Sequence, residues 1–592
     1  MDIRRVAVLG AGVSGLAAIK TCLEEGLQPV CFDKARELEE YWYHCYVFQG
    51  ESECYRRRRN HGHNEGSCAR SWGLRSCCDQ NLSRGRLQPV CFEKARELGG
   101  LWVYNDEVGP DPTGPAGIYK GLITNVSKEM MSFSDFSYPR HVPPFLTSDD
   151  VLQYLQNYAE NFNLLKHIHF NTTVIEVTKA VDFKETGKWN VCTQAQGEPP
   201  KTETFDAVMM CSGIYSSGKI PDYPGLNEFK GQILHSGQFR GGEEFVDKTI
   251  VVVGSSHSAG DVAVLSSNHA KKVYLSLRDG AWIVSRITGK QPTDVYINRR
   301  WNEAIPAWIY HPLLKLKMES LQDWKTLGIQ SSTHPVKSSF MMNDELPVKI
   351  MSGRVVVRSG LQRFEGSRVI FDDDSYLEDV DCVVFATGYN HRIYMEDDVI
   401  SGSTSQLELY LHVIPPRLEH PTMAAIGYIV TRGTLGPSAE LQSRYAVKVF
   451  KKELQLPSRS EMLADIKKRR DGVMQQYNQD TPKIHPTKYN DELAQAIGAL
   501  PSFWSLLLSD PKLAYHFYFG PVYPTWYRLM GSHSRPDARQ RILQSGADMV
   551  HGITLKTVRP RAQKELQRTR IIPMRLVALC FISFLLAVLL WT

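Results

Sequence analysis

The chain of 592 residues is long enough for two to four domains, and its 42% hydrophobic residues supply a core of ordinary size for a globular protein. Its net charge of +5 is small for this length and gives no support for nucleic-acid binding. Its twelve cysteines contain no CxxC pair, and no hydrophobic signal peptide precedes the first strand, so we predict a reducing compartment and no disulfide framework.

The first predicted elements are a strand, a glycine-rich turn and a helix. The apolar residues 6–9 precede residues 10–15 (GAGVSG), which we call the first turn. In a dinucleotide-binding unit, Gly10 would allow the tight bend, Gly12 the approach of the backbone to a pyrophosphate, and Gly15 the close packing of helix on strand. The phosphates then lie at the positive N-terminus of the helix.

The strand that should come next is present twice. Residues 27–38 (LQPVCFDKAREL) recur at residues 87–98 with one change, from Asp33 to Glu93, and an acid at this place holds the ribose of a dinucleotide. Asp33 has the more usual spacing from the first turn, but only Glu93 is followed by residues 99–102 (GGLW). Looping out the first copy has a small free-energy cost, because each doubling of loop length adds about 0.6 kcal/mol to the entropic cost of loop closure. We predict that the Glu93 copy occupies the sheet, with Asp33 as the alternative.

The segment between the two copies, residues 39–86, is predicted to be a disordered insertion. It holds five cysteines and several histidines but no sustained period of 2 or 3.6. One alternative is an anion patch or targeting signal at residues 56–59 (RRRR). Another is a zinc site, although the spacing of its ligands matches no familiar motif, and we predict no metal site. The zinc ligands would be Cys45, Cys54, His61 and His63.

An antiparallel excursion from the first sheet is predicted next. Residues 149–162 are predicted to form a helix with Ser148 as its N-cap. The strands of the excursion are predicted at residues 167–170, 173–178, 189–193 and 205–211, the last of which returns to the parent sheet.

A second strand, turn and helix come next, in the order typical of another nucleotide-binding unit. Residues 249–253 are predicted to form a strand and residues 261–268 a helix. Residues 254–260 (GSSHSAG) connect them and are called the second turn. This turn begins with Gly254, but it keeps fewer glycines than the first turn.

The next predicted strand, residues 272–277, indicates which nicotinamide cofactor is used. It ends at Arg278, where an acid would accept hydrogen bonds from a free ribose 2′-hydroxyl. An arginine suits a 2′-phosphate instead, so NADPH is favoured over NADH. Because Ser256 and Ala259 replace two glycines of the second turn, the prediction depends on the position of the unit and on Arg278.

The rest of the chain is predicted to return to the first domain and to end in a membrane anchor. A strand at residues 380–385 would make the return, and residues from about 440 to 551 are mainly helical. Residues 576–591 are almost entirely apolar and come after a basic stretch, so residues 571–592 are predicted to anchor the chain with its folded part in the cytosol. A buried or interfacial helix is the alternative.

Several motifs in order resemble the flavin-containing monooxygenases. Residues 229–239 (FKGQILHSGQF) match the F-x-G-x-x-x-H-x-x-x-[FY] signature of that family. Residues 99–102 (GGLW), 125–131 (NVSKEMM), 385–389 (FATGY) and 438–442 (SAELQ) are similar to its vertebrate microsomal, dimethylaniline N-oxide-forming members. The resemblance covers nearly the whole chain, including the hydrophobic tail, and fails only over the insertion.

The resemblance implies an α/β fold with two Rossmann-like dinucleotide-binding domains, one for FAD and one for NADPH. The FAD domain would comprise residues 1–215 and 333–450, and the NADPH domain residues 216–332. A mainly helical region at residues 451–570 and the anchor at residues 571–592 would complete the chain. The enzyme would be attached to the endoplasmic reticulum with its catalytic domains facing the cytosol, and an oligomer is compatible with the sequence.

The same resemblance implies a monooxygenase that depends on NADPH and O2. NADPH would reduce FAD, and a C4a-hydroperoxyflavin would transfer oxygen to a soft nucleophilic N or S atom of a small lipophilic compound. The protein would supply placement and desolvation, because this chemistry belongs to the cofactor. Three alternatives stay open: Baeyer–Villiger insertion into carbonyls, an inactive relative impaired by the insertion or the second turn, and a disulfide reductase, for which Cys77-Cys78 is a poor redox pair.

The resemblance also assigns residues to these roles. Asn125 would lie near the reactive flavin face, where a neutral amide donates a hydrogen bond without acting as an acid, and a polar turn residue is the alternative. His235 is predicted mainly to satisfy a backbone partner, and His257 stands where relatives carry an asparagine. The predicted cofactor-binding residues are Gly10, Gly12, Gly15, Glu93, Gly99, Gly100, Leu101, Trp102, Gly254, Ser256, Ser258 and Arg278.

Overall fold

The structure, a computed structural model, describes residues 3–25, 88–109, 111–338, 340–390, 399, 402–403, 406–431, 433–477 and 481–554. Three predictions concern other parts of the chain: the first copy of the repeated strand, the insertion at residues 39–86 and the anchor at residues 571–592. The alternative zinc ligands, the arginine run and Cys77-Cys78 belong to that insertion and lie outside the described residues as well.

Five parallel strands form the first sheet. The central strand Arg5–Leu9 is buried from its second residue onward, because both of its faces are covered. Strand Gln88–Phe92 lies beside it with Cys91 opposite Val8, so the Glu93 copy occupies the position predicted for it. In pairing order the strands are Met423–Ala425, Ala207–Met210, Arg5–Leu9, Gln88–Phe92 and Ile168–His169.

A second parallel sheet contains the strand that was predicted to return the chain to the first domain. Strand Cys382–Phe385 is fully buried and pairs with Thr249–Val253 on one side and Gln232–His235 on the other. The prediction for residues 380–385 was therefore wrong, and the chain returns to the first sheet only at Met423–Ala425. A buried parallel strand is an apolar run in either sheet, so its sequence does not indicate which sheet it joins. The strand order is Val355–Arg358, Lys272–Ser276, Thr249–Val253, Cys382–Phe385 and Gln232–His235.

This sheet membership bears on the domain boundaries. Strands Val355–Arg358 and Cys382–Phe385 come after residue 332, where the second domain was predicted to end, yet both pair in the second sheet. We propose that the second unit continues to about residue 389 and that the first unit resumes before Met423.

The predicted antiparallel excursion is confirmed in part: strand Ile168–His169 pairs parallel in the first sheet instead, and strand Lys201–Phe205 was not predicted. Strands Thr172–Lys179, Trp189–Ala195 and Lys201–Phe205 pair antiparallel, and Ala207–Met210 then rejoins the first sheet. The preceding helix, Ser148–Asn161, is capped by Thr147 rather than by the predicted Ser148. The Thr147 hydroxyl accepts the Asp150 N–H at 3.2 Å, and the Asp150 carboxylate accepts the Thr147 N–H at 2.9 Å. This reciprocal pair is a capping box, which fixes the start of the helix.

Helices cover both sheets and build the C-terminal region. Within the described residues, no helix is both long and apolar enough to cross a membrane. The α-helices are Val13–Glu24, Lys128–Met131, Ser148–Asn161, Phe183–Thr186, His257–Ser266, Thr293–Ile297, Arg300–Ala304, Ala307–Leu321, Leu346–Met351, Gly436–Phe450, Arg459–Tyr477, Pro486–Ala496, Phe503–Ser509, Pro511–Phe519 and Ala538–Thr554. Short strands outside the main sheets are Ser217–Gly218, Trp282–Val284, Ile287–Thr288, Gln291–Pro292, Phe340–Met342, Leu361–Glu365, Arg368–Phe371, Tyr376–Leu377, Tyr389–Asn390, Gly402–Ser403, Gln406–Leu407, Val430–Thr431 and Lys483–Ile484.

A buried ionic network ties the helix Val13–Glu24 to the C-terminal region. Lys20 forms an ion pair with Asp135, and Arg528 contacts Asp135 at 3.1 Å and Glu440 at 2.8 Å. Burial alone would raise the pKa of Glu440, but Arg528 and Lys20 lower it to about 2. Because a buried charge that loses its partner is costly, the network holds the C-terminal chain against the helix that comes after the first turn.

Candidate functional site

The three glycines of the first turn lie where the central strand passes into the helix Val13–Glu24, which we call the first-turn helix. Gly10 has a φ of 107°, and its N–H donates to the Phe92 carbonyl at 2.8 Å. A side chain at Gly15 would place its Cβ only 1.7 Å from the Gly10 carbonyl oxygen. Only glycine therefore lets the first-turn helix lie this close to its strand.

The Gly99-Gly100 pair packs against this turn. Gly99 and Gly100 have φ angles of 128° and 56°, and the Gly99 N–H donates to the Ala11 carbonyl at 3.3 Å. A Cβ on Gly100 would come within 3.2 Å of the Gly12 Cα, so the two backbones meet without side chains between them. Leu101 and Trp102 come next in a short 3-10 turn, Leu101 37% exposed and Trp102 partly buried against the core.

The first-turn helix begins in a way that suits a bound anion. Its N-cap is Gly12, which has no side chain to accept a hydrogen bond from the N–H groups of the first turn of the helix. A Cβ at Gly12 would have the Gly100 Cα, at 3.7 Å, as its nearest neighbour. A backbone cradle at an uncapped helix N-terminus fits the pyrophosphate of a dinucleotide.

Glu93 lies at the end of the neighbouring strand, beside the same turn. Its Oε2 accepts the Ala11 N–H at 2.6 Å, and its Oε1 accepts the Ala95 N–H at 2.9 Å. Its own backbone is fixed by hydrogen bonds to His169 and Thr172. A carboxylate has about four acceptor sites, so Glu93 keeps capacity for the hydroxyls of a ribose.

Asn125 lies in a partly buried loop, residues 123–127, which we call the Asn125 loop. The amide oxygen of its side chain is unused. Its Oδ1 is buried and accepts no hydrogen bond from the part of the chain that the structure describes. The loop is held two residues later, where the N–H and the hydroxyl of Ser127 both donate to Asp294 Oδ2 at 2.8 Å. Burial raises the pKa of Asp294, and its Oδ1 also lacks a partner among the described residues.

A second contact holds the other end of the Asn125 loop. Arg286 donates from Nε to the Thr124 carbonyl at 3.3 Å and from Nη2 to the Ile123 carbonyl at 3.4 Å. On its other side, Nη1 of Arg286 donates to Asp344 Oδ2 at 2.9 Å. Arg286 and Asp294 were absent from the predicted site, because both lie more than 160 residues from the loop and belong to no motif.

In the second turn, Gly254 is as constrained as Gly10. It has a φ of 143°, and a Cβ there would lie 2.4 Å from the Ala386 carbonyl oxygen. Ser256 is the N-cap of the helix His257–Ser266, which we call the second-turn helix, but its side chain makes no capping hydrogen bond. Ser256 and Ser258 are both partly buried at this uncapped end, which is also suited to an anion.

The second-turn helix carries His257 at its start and Asp261 in its second turn. His257 Nδ1 accepts the Met342 N–H at 2.9 Å. Although part of the side chain is open to solvent, the protein atoms around the ring and the charge of Arg286 lower the pKa of His257 to about 4. Asp261 accepts the Tyr119 hydroxyl at 2.6 Å and the Asn343 amide at 2.9 Å, and burial raises its pKa.

Arg278 lies at the carboxyl end of the second sheet, as the sequence predicted. It is exposed, and it stands two residues after the end of the strand Lys272–Ser276. The neighbouring strand ends in a second arginine, Arg358, which pairs in register with Ser276. Arg358 Nε is buried and has no partner within the described residues. A basic residue at the end of an apolar strand can be seen in the sequence and could have indicated Arg358. Arg358 was nevertheless absent from the predicted site.

His235 has the structural role that its position in the signature suggested. The ring is buried and uses both nitrogens: Nε2 bonds to the Gly388 carbonyl at 2.9 Å, and Nδ1 accepts the Gly237 N–H at 3.1 Å. Burial lowers the pKa of His235. A neutral ring that joins two loops in this way has no free nitrogen for chemistry.

A pocket lies directly beside the Asn125 loop. Its wall begins at Val126 and Met130 and continues onto the C-terminal helices. Both apolar groups and amides face it, and its cavity volume of about 30 Å³ is well below that of a pocket that encloses a small organic molecule. The other lining residues are Asn298, Gly433, Thr434, Pro437, Pro486, Thr487, Asn490, Val522, Pro524 and Tyr527.

Comparison with protein families gives a match over almost the whole chain. The family model described as FMO-like, flavin-binding monooxygenase-like, matches residues 3–74 and again residues 65–591. The two matched parts meet between the two copies of the repeated strand. Flavin-containing monooxygenase 5 of Homo sapiens is 34% identical over 99% of this chain and 100% of its own length. The same enzyme of Cavia porcellus is 36% identical over 92% of each chain, and dimethylaniline monooxygenase (N-oxide-forming) 2 of Rattus norvegicus is 34% identical over 95% of each.

Solved structures share the fold at lower identity. The S-allyl-L-cysteine S-oxygenase from Allium sativum has a TM-score of 0.57 and 20% identity, and it covers 92% of this chain and 100% of its own. The cyclohexanone monooxygenase from Rhodococcus sp. Phi1, solved with NADP+, has a TM-score of 0.54 and 15% identity over 84% of this chain and 97% of its own. At these identities the likeness concerns the fold alone.

Proposed function

The chain belongs to the flavin-binding monooxygenase-like family, and from this premise we propose that its first turn holds FAD and its second turn holds NADPH. It is an FAD-containing monooxygenase that uses NADPH and O2. The observation that carries the assignment of the first site is the contact between Gly12 and Gly100, which leaves a surface of bare backbone at an uncapped helix N-terminus. When bound and reduced by NADPH, the flavin supplies the chemistry that activates O2.

The residues of the first unit bind and orient the flavin dinucleotide. The pyrophosphate binds at the first turn, beside Gly10, Gly12 and Gly15. Gly99 and Gly100 close the turn from the other side. Glu93 holds the ribose with the acceptor capacity that its bonds to Ala11 and Ala95 leave free. Leu101 and Trp102 line the entrance to this cradle.

Asn125 is our candidate for the group that contacts the reacting part of the flavin. A buried amide oxygen without a partner is costly unless a ligand donates a hydrogen bond to it. The carboxamide is neutral, so its N–H groups can donate to a developing negative charge without releasing a proton. Met130 and Val126 lie in the wall of the small cavity beside the same loop.

The second unit binds and orients NADPH. Gly254 makes the bend, Ser256 and Ser258 lie at the helix N-terminus that receives the pyrophosphate, and Arg278 faces the 2′-phosphate. The uncapped start of the second-turn helix supports this assignment.

The substrates are small lipophilic compounds with a soft nucleophilic nitrogen or sulfur. The name of the rat relative refers to N-oxide formation on dimethylaniline, and this name supports the proposed substrate class. Baeyer–Villiger oxygenation, an inactive chain and a disulfide reductase are not favoured. The cysteines within the described residues, Cys22, Cys91, Cys192, Cys211 and Cys382, form no disulfide.

We also propose association with the endoplasmic reticulum membrane, with the catalytic units in the cytosol. Large apolar side chains are exposed on two helices, among them Trp308 at 77% and Leu508 at 89%. Such side chains together with the apolar residues 571–592 favour a lipid surface. Flotation of the full chain with lipid vesicles tests this, and a truncation after Thr554 separates the tail from the exposed side chains.

The test of the proposed function uses the purified full chain. We expect a flavin absorption spectrum that bleaches when NADPH is added without O2, and one oxygenated product per NADPH when dimethylaniline or a thioether is present with O2. NADH should bleach it far more slowly. A colourless protein that does not take up FAD would contradict the assignment of the first turn, and a coloured protein that forms lactone or ester from a ketone instead would favour the Baeyer–Villiger alternative.

A further inference from the structure

We propose that Arg286 is a positioning residue through which the second unit holds the backbone of the Asn125 loop in place. The proposal rests on the function proposed above only for the role of Asn125 and not for the contact itself. Arg286 comes shortly after the strand Trp282–Val284, which lies beyond the second-turn helix in the chain, yet its guanidinium reaches two consecutive carbonyls of the loop. No motif of the sequence marks it.

The hydrogen bonds of Arg286 are arranged as a bridge. Nε and Nη2 donate to the carbonyls of Thr124 and Ile123, which immediately precede Asn125. Nη1 and the backbone N–H of Arg286 donate to the carboxylate of Asp344 at 2.9 and 3.0 Å. A planar guanidinium fixed by a carboxylate on one side presents its remaining donors in a set direction, which a flexible ammonium does not do.

The same guanidinium also lies close to the second-turn helix. Nη2 of Arg286 is 4.0 Å from Asp261 Oδ1, and Asp261 accepts the Tyr119 hydroxyl. Tyr119 belongs to the segment that leads into the Asn125 loop. The helix that receives the nicotinamide dinucleotide and the loop that carries Asn125 therefore share one arginine.

The far end of the loop is held independently by Asp294. Its Oδ2 receives both donors of Ser127, and Asn298 Nδ2 donates to its backbone carbonyl at 2.8 Å. Asn125 lies between these two contacts and has no hydrogen bond from its own Oδ1 to the described chain. The orientation of its amide is therefore set by its neighbours. A loss of Arg286 removes two of the bonds on one side of the loop, where Thr124 stays bonded to Leu146, and leaves the Asp294 side in place.

The direct test measures hydrogen exchange of the backbone amides of residues 123–127 in the holoenzyme. For Arg286→Gln we expect exchange about ten-fold faster than in the wild type, because two hydrogen bonds from a charged group are lost, with FAD content unchanged. The same variant should form less oxygenated product per NADPH oxidised. Arg286→Lys keeps the charge but cannot bridge both carbonyls, so we expect an intermediate exchange rate.

A matched control lies nearby. Arg299 also donates to two carbonyls, those of Val295 and Phe519, but neither belongs to the loop, so Arg299→Gln should leave exchange at residues 123–127 unchanged. If Arg286→Gln does not fold, Asp344→Asn removes the carboxylate that orients Arg286 and should give a smaller increase. Unchanged exchange in the folded variants, or an equal increase in Arg299→Gln, would overturn the proposal.

A second measurement separates this inference from the role given to Asn125. If Asn125→Ala leaves the yield of product per NADPH unchanged while Arg286→Gln still accelerates exchange, Arg286 positions the loop and the role proposed for Asn125 fails. If Asn125→Ala lowers the yield but Arg286→Gln alters neither exchange nor yield, the role of Asn125 stands and the positioning role is overturned.

Discussion

The first turn and the second turn both join a buried parallel strand to a helix, but they make room for that helix in different ways. At the sixth position of the first turn, a Cβ on Gly15 would collide with the Gly10 carbonyl at 1.7 Å. The second turn has Ala259 at that position, which already carries a Cβ. Gly260, which follows Ala259 in the second turn, is closest to Met341, whose Sδ would lie 2.9 Å from an added Cβ. The second-turn helix therefore uses its small residue against a neighbouring strand and not against its own turn.

The third position shows the same contrast. Gly12 faces only the backbone of Gly100, whereas Ser256 places a hydroxyl at the mouth of its turn. A turn whose third position meets only backbone suits a dinucleotide that stays bound through many reactions. A turn that carries side chains gives a looser fit, which suits a dinucleotide that must enter and leave in each cycle.

The largest effect should come from adding one methyl group to the tighter turn. In Gly15→Ala the helix and strand must separate, so we expect a loss of about 3 kcal/mol or more in the free energy of unfolding and loss of bound FAD. Urea unfolding and the ratio of FAD to protein measure both.

The reverse change in the second turn is the matched control. Ala259→Gly removes a buried methyl group from the core of the second unit, so we expect a loss of about 1–2 kcal/mol from lower helix propensity and lost burial, with FAD retained. If Gly15→Ala keeps its FAD and unfolds like Ala259→Gly, the two turns are equally tolerant of a side chain and do not differ in how they make room for the helix.

The next effect concerns the acid that completes the first turn. Glu93→Ala leaves the N–H groups of Ala11 and Ala95 without an acceptor, each at a cost of about 1–3 kcal/mol where buried, so FAD retention should fall ten-fold or more. Asp33→Ala should change FAD retention little, since residue 33 belongs to the copy that is not in the described sheet. A greater loss in Asp33→Ala than in Glu93→Ala would reverse the assignment.

These two variants show how far the sequence alone leads. The repeated strands are almost identical, so local propensity gives the same strand for both. The choice between them depends on residues 99–102, which come directly after the second copy alone, and on the contacts of Glu93 with His169 and Thr172. The motif at residues 10–15 predicted its strand, turn and helix correctly, because Gly10 and Gly15 there answer local steric demands.

Long-range partners were beyond the sequence. Strand Cys382–Phe385 was assigned to the wrong sheet, because a run of buried apolar residues fits the centre of any parallel sheet. Arg286 and Asp294 contact the Asn125 loop across more than 160 residues, and charged residues of this kind are common on exposed surfaces. Only the folded chain distinguishes these two from the rest.

A smaller effect is expected at the third position of the second turn. Ser256→Gly removes the side chain at the mouth and lets the backbone approach the pyrophosphate, as Gly12 does, so we expect the Kd for NADPH to fall about three- to ten-fold. Ser256 makes no capping bond, so little helix stability is lost. Equilibrium binding to the oxidised holoenzyme measures the Kd, and the exposed Ser255→Ala serves as control. An unchanged Kd in Ser256→Gly would show that the hydroxyl does not obstruct the site.

The smallest effect concerns His257, which stands at the start of the same helix. With a pKa of about 4 the folded ring is neutral from pH 6 to 8, and its Nδ1 accepts the Met342 N–H, so its proton lies on Nε2. A neutral N–H donor can replace the amide donor of an asparagine. We therefore expect the Kd for NADP+ of His257→Asn to stay within about two-fold of the wild-type value, with the same ratio at pH 8 and pH 6.5.

Below pH 6.5, protonation of the His257 ring decides whether the folded chain gains or loses stability. As pH falls from about 6.5 towards 4, the unfolded chain binds a proton that the folded ring does not, so the wild type loses stability in this window and His257→Asn does not lose that part. Bound NADP+ opposes the loss, because the pyrophosphate attracts a protonated ring. Thermal unfolding of both proteins at pH 8, 6.5 and 5, with and without NADP+, measures the difference. If the wild type and His257→Asn show the same dependence on pH, the ring does not titrate at this turn, and the second turn differs from the first through Ser256 and Ala259 alone.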